Sequence, residues 1–350
     1  MQSRQREANR FWPGDVVEVR PPAEILATLD AEGTLDAMPF MPEMLPLIGK
    51  RFSVAKRIEG ICDTVGSGGL RRMRDAVFLD DVRCDGSAHG GCQAECRLYW
   101  KEAWLRRPGA VVRSADEASR TAAERLERLV GSNARRRDRC AEAGAIFRCQ
   151  ATEAPRATEP MRRTARPMQY LREISVGNVG PGRFLSVMAL AIAWKIGAQL
   201  GLNVGARRRV TSEKTANPAE RKTASLGLQP GEWVEVRSSE EIGRSLNARG
   251  HHRGLAFSPN EMLPACGKQF RVRGRIERII DEKTGRMLTM KNDCITLEGL
   301  ACTGERSTGR WFCARGVHPY WREAWLRRVD VAQPAVVHEV AACPSKVGLG

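Results

Sequence analysis

Two short runs of alternating apolar and polar residues stand out along the chain, and they are spelled almost alike. Val17 and Val19 alternate with Glu18 and Arg20 after Pro13-Gly14, and Val234 and Val236 alternate with Glu235 and Arg237 after Pro230-Gly231. A Pro-Gly turn feeding a period-two run predicts a strand with one buried face. A helical period follows each strand. Pro22 suits a first helical turn ahead of Ile25, Leu26 and Leu29, while Ser238 and Glu241 form a capping box ahead of Ile242 and Leu246.

The correspondence then continues. Glu43-Met44-Leu45-Pro46 matches Glu261-Met262-Leu263-Pro264, and the stretch 51–61 matches 269–279. Residues 76–84 match 294–302. Each copy closes on Tyr-Trp-Lys/Arg-Glu-Ala-Trp-Leu-Arg-Arg, at 99–107 and 320–328. Helix and strand periods compete in that closing segment, which reads as a turn entering a strand. The pattern predicts one module written twice, at 13–107 and 230–328. A connector at 108–229 joins the copies and a tail at 329–350 follows them. Repeats of this length are tandem domains, too long for solenoid units. Many short strands with one small helix predict an α+β chain of two β-rich, barrel-like modules.

Within the connector, residues 114–131 have the pattern of an amphipathic helix, with Ser114 as cap and Leu126, Leu129 and Val130 inward. Residues 152–168 read as extended loop. The run 183–202 is almost wholly apolar but short for a membrane span and interrupted by Lys195. It reads as a helix packed between the modules or, alternatively, one lying on a membrane surface.

Charge sharpens this division. The formal net charge is +16, and most of the excess falls in the connector, including Arg207-Arg208-Arg209. Such a segment suits nucleic acid, an acidic protein or an anionic membrane surface, and it also suits a merely solvated chain. The polar N-terminus has no apolar core of a secretory signal, so a cytoplasmic location is expected, peripheral to a membrane if the apolar helix lies on one. Eleven cysteines in such a location point to metal or redox chemistry ahead of disulfides.

Those cysteines are where the copies differ. The first copy holds Cys62, Cys84, Cys92 and Cys96, with His89 in the same loop. The second keeps Cys302 and Cys313, replaces Cys62 by Ile280 and Cys96 by Val317, and adds Cys266 and Cys294. Four thiolates per copy suit structural zinc, which favours tetrahedral sulfur ligands. An iron–sulfur cluster is the alternative. Reduced, buried cysteines without metal remain the plain reading. Cys140, Cys149 and Cys343 have no evident partners.

A second candidate set is basic and aromatic. Arg71, Arg72 and Arg74 follow a Gly-rich turn. Trp100, Trp104, Arg106 and Arg107 recur as Trp321, Trp325, Arg327 and Arg328. Tryptophan can stack on bases and arginine can neutralise phosphate. The competing reading puts the tryptophans in the module cores. No nucleotide loop, zinc-protease motif or nucleophile elbow is present, and no catalytic residue is assigned. His251-His252 is expected to face solvent.

The module opening is similar at fold level to SH3-like barrels. The segments Arg83–Cys92, Phe147–Glu153 and Arg278–Met287 resemble uncharacterised bacterial two-repeat, cysteine-rich proteins. That resemblance implies a family layout and no activity. Together these readings predict a binding or scaffold protein with cysteine-stapled modules. An accessory metal-dependent or redox enzyme acting through the Cys/His loop is one alternative, and a membrane-surface scaffold acting through 183–202 is another.

Overall fold

The computed structural model describes residues 10–66, 68–109, 117–136, 144–200, 225–307 and 309–329. The sequence expectations for Ser114, Cys140, Arg207-Arg208-Arg209 and Cys343 lie outside them.

In the first module, β1 (Val16–Val19), β2 (Arg51–Arg57), β3 (Ala76–Leu79), β4 (Trp100–Lys101) and β5 (Leu105–Arg106) form one antiparallel sheet in the order β4-β3-β2-β1-β5. The connector contributes α1 (Glu117–Asn133), α2 (Arg166–Ser175) and α3 (Pro181–Gln199). In the second module, β6 (Trp233–Val236), β7 (Gln269–Arg275), β8 (Ile295–Leu297) and β9 (Leu326–Arg328) pair in the order β8-β7-β6-β9. The registers agree as well: Val17 faces Phe52, and Val234 faces Phe270. Each long strand has a register shift, between Val54 and Lys56 and between Val272 and Gly274. The molecule is mixed α and β with several small antiparallel sheets, and no closed barrel forms among the described residues. The barrel expectation came from strand count and the opening motif, and neither specifies closure.

Each sheet buries its alternating face. Val17, Val19, Trp100 and Trp104 lie at the first core, and Val234, Val236, Trp321 and Trp325 at the second, all at 0 % exposure. The closing segment is a single 3-10 turn between strands, at Glu102–Trp104 and Glu323–Trp325. That turn swings the second tryptophan inward. Trp104 Nε1 donates to Thr28 Oγ1 at 3.1 Å and Trp325 Nε1 to Ser245 Oγ at 3.0 Å, which satisfies the one polar atom of each indole. The glutamate of the same turn is buried too. Glu102 accepts from Phe11 N–H at 2.8 Å and from Arg57 Nη1 at 2.5 Å. Glu323 accepts from Leu228 N–H at 3.0 Å and from Arg275 Nη1 at 2.6 Å. In both modules this ion pair ties the chain preceding the first strand to the core.

The connector helices behave differently from one another. Helix α1 packs Leu126 and Val130 on the first module, as its period predicts. Helix α3 has apolar residues all round. Phe184 and Val187 pack with Phe312 and Leu70 at the junction of the modules, and Trp194 is also buried, while Leu185, Ile192 and Ile196 are exposed. Among the described residues no helix is long and apolar enough to cross a membrane. The expected loop at 152–168 contains helical turns and a two-residue strand, Glu159–Pro160, that extends the edge of Leu70–Arg72.

Candidate metal centre

The site grows out of the loop that follows β3. Cys84 N–H donates to Cys96 O at 2.8 Å, so the loop closes on itself. His89 N–H and Gly91 N–H both donate to Gly86 O at 3.0 Å, which curls the intervening residues tightly. Gly86 has φ +69°, and a Cβ there would meet Cys92 O at 2.0 Å. Only glycine fits a left-handed backbone this close to another chain segment.

The curl drives His89 into the interior, where it is 1 % exposed. Its Nδ1 meets Glu43 Oε1 at 2.5 Å and its Nε2 meets Arg148 O at 3.0 Å. Glu43 Oε1 also accepts from Ala88 N–H at 3.2 Å, while Glu43 Oε2 is buried with no hydrogen-bond partner. An unpaired carboxylate oxygen in the interior is costly unless a cation or donor reaches it. Glu43, Cys84 and His89 present donor atoms within 4.8 Å of one another, and this group can hold a metal ion.

Around the group lies a cavity of about 40 Å³ lined by Cys84, His89, Cys92, Cys96, Cys149 and Ile280. Four thiols from separated segments therefore share one small space. Burial pushes the Cys84 thiol far up, reinforced by the Glu43 charge. Burial likewise raises Cys96 to about 12, with Arg315 opposing, and Cys149 to about 11, with hydrogen bonds from the Thr152 and Ala151 backbone opposing. Without metal these three thiols are protonated at neutral pH.

Cys149 is the member that sequence reasoning missed. The connector brings it in: Gln150, 3 % exposed, accepts from Tyr99 N–H at 2.7 Å and donates to Pro39 O at 3.0 Å and Tyr99 O at 2.8 Å, which pins the neighbouring residue over the cavity. The available signal was the segment Phe147–Glu153, one of the three on which the resemblance rests.

Cys62, expected with Cys84, lies elsewhere. The paired strands Ile61–Cys62 and Leu70–Arg72 cross to the second module, and Cys62 N–H donates to Cys313 Sγ at 3.0 Å. The second module reaches back in the same way: in the paired strands Arg278–Ile280 and Met287–Thr289, Ile280 N–H donates to Cys92 Sγ at 3.3 Å. Spacing within one copy could not reveal this exchange. Cys302 lies near Cys62 and Cys313, Cys266 packs part-buried against the second core, and Cys294 is buried; among the described residues Cys84 is the one cysteine whose sulfur lies with two further donors, those of Glu43 and His89, all within 4.8 Å of one another.

The tryptophan candidates lie inside the fold, and most of the arginine candidates are paired with acids of the chain, several of them at its surface. Trp100, Trp104, Trp321 and Trp325 have no exposed surface for stacking a base. Arg71 donates to Thr158 and to Pro155 O, and the strand carrying Arg72 pairs with Glu159–Pro160. Arg74 pairs with Glu159, Arg106 with Glu18, Arg107 with Asp15, Arg327 with Glu241 and Arg328 with Glu232. His252, expected in solvent, is 4 % exposed and bonded to Ser245 O at 3.0 Å, because the edge of the second core closes over it.

No protein-family model, curated protein or solved structure matches the chain.

Proposed function

We propose that this chain is a non-catalytic scaffold built from two copies of one module, with a structural zinc ion stapling the first copy to the connector. Cys84, Cys92, Cys96 and Cys149 are the ligands. Glu43 and His89 form the supporting pair that fixes the loop and places negative charge beside the ion. The observation that carries this reading is that four thiols from three segments line one small cavity beside the Glu43–Cys84–His89 group. Its size argues against catalysis. About 40 Å³ admits an ion, whereas small-molecule sites measure roughly 300–1,000 Å³ and catalytic zinc keeps an open position. Zinc is preferred over an iron–sulfur cluster for the same reason, since a cluster needs more room than a single ion.

Metal analysis and the visible spectrum of anaerobically purified protein test the proposal. Bound zinc without colour supports it. Bound iron with brown absorbance replaces zinc by the redox alternative, and metal-free protein whose thiols all react removes the staple.

A second reading concerns the contact surface. Met168 and Leu171 on α2, with Leu185, Ile192, Ile196 and Leu200 on or just after α3, are more than half exposed except Ile196, at half. On α3 the exposed Leu185, Ile192 and Ile196 are spaced seven and four apart, on the side opposite the buried Phe184, Val187 and Trp194, so a second apolar face is left without a cover. Together with the +16 charge this favours attachment to an anionic membrane surface over nucleic acid, whose stacking residues are buried. Co-sedimentation with anionic vesicles should fall at least tenfold in Ile192→Glu/Ile196→Glu. Unchanged binding removes this reading and leaves the staple untouched.

A further inference from the structure

Three contacts stitch the crossing strand of the first module to one loop of the second. Ala314 N–H donates to Gly60 O at 3.1 Å, Cys62 N–H donates to Cys313 Sγ at 3.0 Å, and Arg315 Nη1 donates to Thr64 Oγ1 at 2.6 Å. The two segments therefore run side by side, with Cys62 and Cys313 in the middle of the run. A 3.0 Å contact from the Cys62 backbone to the Cys313 sulfur keeps the two Cα atoms within about 7 Å, the limit at which a disulfide can close without moving the backbone. Both cysteines are free thiols. The other half of the seam repeats the contact with one change. Ile280, which stands where the first copy has Cys62, donates its N–H to Cys92 Sγ at 3.3 Å. An apolar side chain fills that seat, so packing alone does not call for sulfur at position 62.

From this pairing we propose that Cys62 and Cys313 are a reversible oxidation site, which a hydroperoxide converts to a disulfide joining the two modules. Cys313 is the sulfur that reacts first. The Cys62 thiol donates a hydrogen bond to it, which holds Cys313 below the ordinary thiol range against its burial, and the N–H groups of Arg315 and Cys62 add to this. The same hydrogen bond, together with burial, keeps the Cys62 thiol protonated. The thiolate is the reactive form of cysteine. Cys313 is only 4 % exposed, so the oxidant must be small, and hydrogen peroxide is the smallest hydroperoxide. The Cys313 thiolate attacks one peroxide oxygen and the O–O bond breaks, leaving a sulfenic acid. The departing hydroxide takes up the proton that Cys313 gave to solvent and becomes water. The Cys62 sulfur then attacks the sulfenic sulfur. The S–O bond breaks, the S–S bond forms, and the Cys62 proton leaves in a second water. Two thiols lose two electrons and the peroxide gains them. Cys62 and Cys313 are not among the thiols that line the first cavity, so the site stands whether or not that cavity holds zinc.

Peptide mapping of the full chain tests the assignment without any substitution. Trypsin leaves Cys62 in the peptide 58–71 and Cys313 in the peptide 311–315, one cysteine in each, and Cys302 in a different peptide. After brief treatment of the reduced protein with equimolar hydrogen peroxide, these two peptides are expected as one species, lighter than their sum by two hydrogens and split again by dithiothreitol. Cys313 should be oxidised at least about tenfold faster than Cys266, whose thiol is raised by burial. In Cys62→Ala, apolar at that seat as Ile280 is, Cys313 should stop at a sulfenic acid that dimedone labels, and far-UV circular dichroism confirms that the variant folds. Peroxide-treated wild type without the linked species, Cys313 joined to Cys302 instead, or Cys313 reacting no faster than Cys266 overturns the proposal.

Discussion

Replacing Glu43 by glutamine separates a metal-supporting role from a purely architectural one, because the two roles give opposite signs in two states of the protein. With zinc bound, the carboxylate adds negative charge beside the Cys84 thiolate and fixes His89 through a 2.5 Å contact. Loss of such a supporting group typically weakens metal binding by about 10–100-fold, or about 1.4–2.7 kcal/mol. Without zinc the same carboxylate is a burden. Glu43 and His89 are both 1 % exposed in their side chains, and Glu43 Oε2 has no partner. With its oxygen in the place of Oε1, an amide still meets both Ala88 N–H and His89 Nδ1, and it puts a neutral NH2 group where the unpaired anionic oxygen stood. The metal-free protein should therefore be unchanged or more stable, by about 1 kcal/mol. Competition with a chromophoric chelator measures the first effect, and urea unfolding of the stripped protein measures the second. Zinc affinity unchanged within about threefold, or a stripped protein destabilised by about 2 kcal/mol or more, refutes the assigned role.

Because burial holds Cys84, Cys96 and Cys149 protonated in the stripped protein, zinc must displace several protons; its affinity should fall by more than about tenfold per unit as pH drops from 8 to 6, by proton-linked titration. Glu173 is 2 % exposed, and burial raises its carboxyl to about 7 against the hydrogen bonds from Asn178 and Gln169. A raised acid favours the folded state below its unfolded value, and that contribution is lost as pH climbs from about 4.5 to 7. Glu173→Gln should flatten this decline, which amounts to roughly 3 kcal/mol, in denaturation curves taken across that range. Glu102→Ala leaves Arg57, 5 % exposed in its side chain, with Phe11 O and a longer 3.8 Å contact to Glu59, and should cost about 3 kcal/mol; Glu323→Ala should cost a similar amount, because Arg275 at 32 % exposure can rehydrate but the N–H groups of Leu226, Gly227 and Leu228 lose their acceptor. Gly86→Ala should destabilise by at least about 2 kcal/mol and abolish zinc retention, read by thermal unfolding and metal analysis.

The parts of the fold that could be read from sequence are those governed by local period and local chemistry. Val17 and Val19, Val234 and Val236, the capping box at Ser238, and Leu126 with Val130 on α1 are all placed by rules that span a few residues. The matched tryptophans, which the sequence offers as either stacking or core residues, lie in the core. What stayed illegible depends on how the modules meet. Cys62 pairs across 251 residues with Cys313, and Cys149 reaches its cavity only because Gln150 locks onto Tyr99 and Pro39. A cysteine tally within each copy assigns Cys62, Cys266 and Cys294 by sequence proximity, whereas the fold carries Cys62 across to Cys313 and leaves Cys266 and Cys294 at the second core. The Glu43–His89 contact is similarly distant in sequence, although the repeat of Glu43 as Glu261 marked that position in advance.

The central claim is that Cys149 completes a thiolate set with Cys84, Cys92 and Cys96. Its most direct test is the zinc content of the full chain and of Cys149→Ser, purified side by side without oxygen and assayed by elemental analysis together with thiol titration. The account expects zinc in the wild type, and in the variant one fewer equivalent with three newly reactive thiols. Wild-type protein free of metal with every thiol reactive, or a variant that retains its full zinc content, contradicts it.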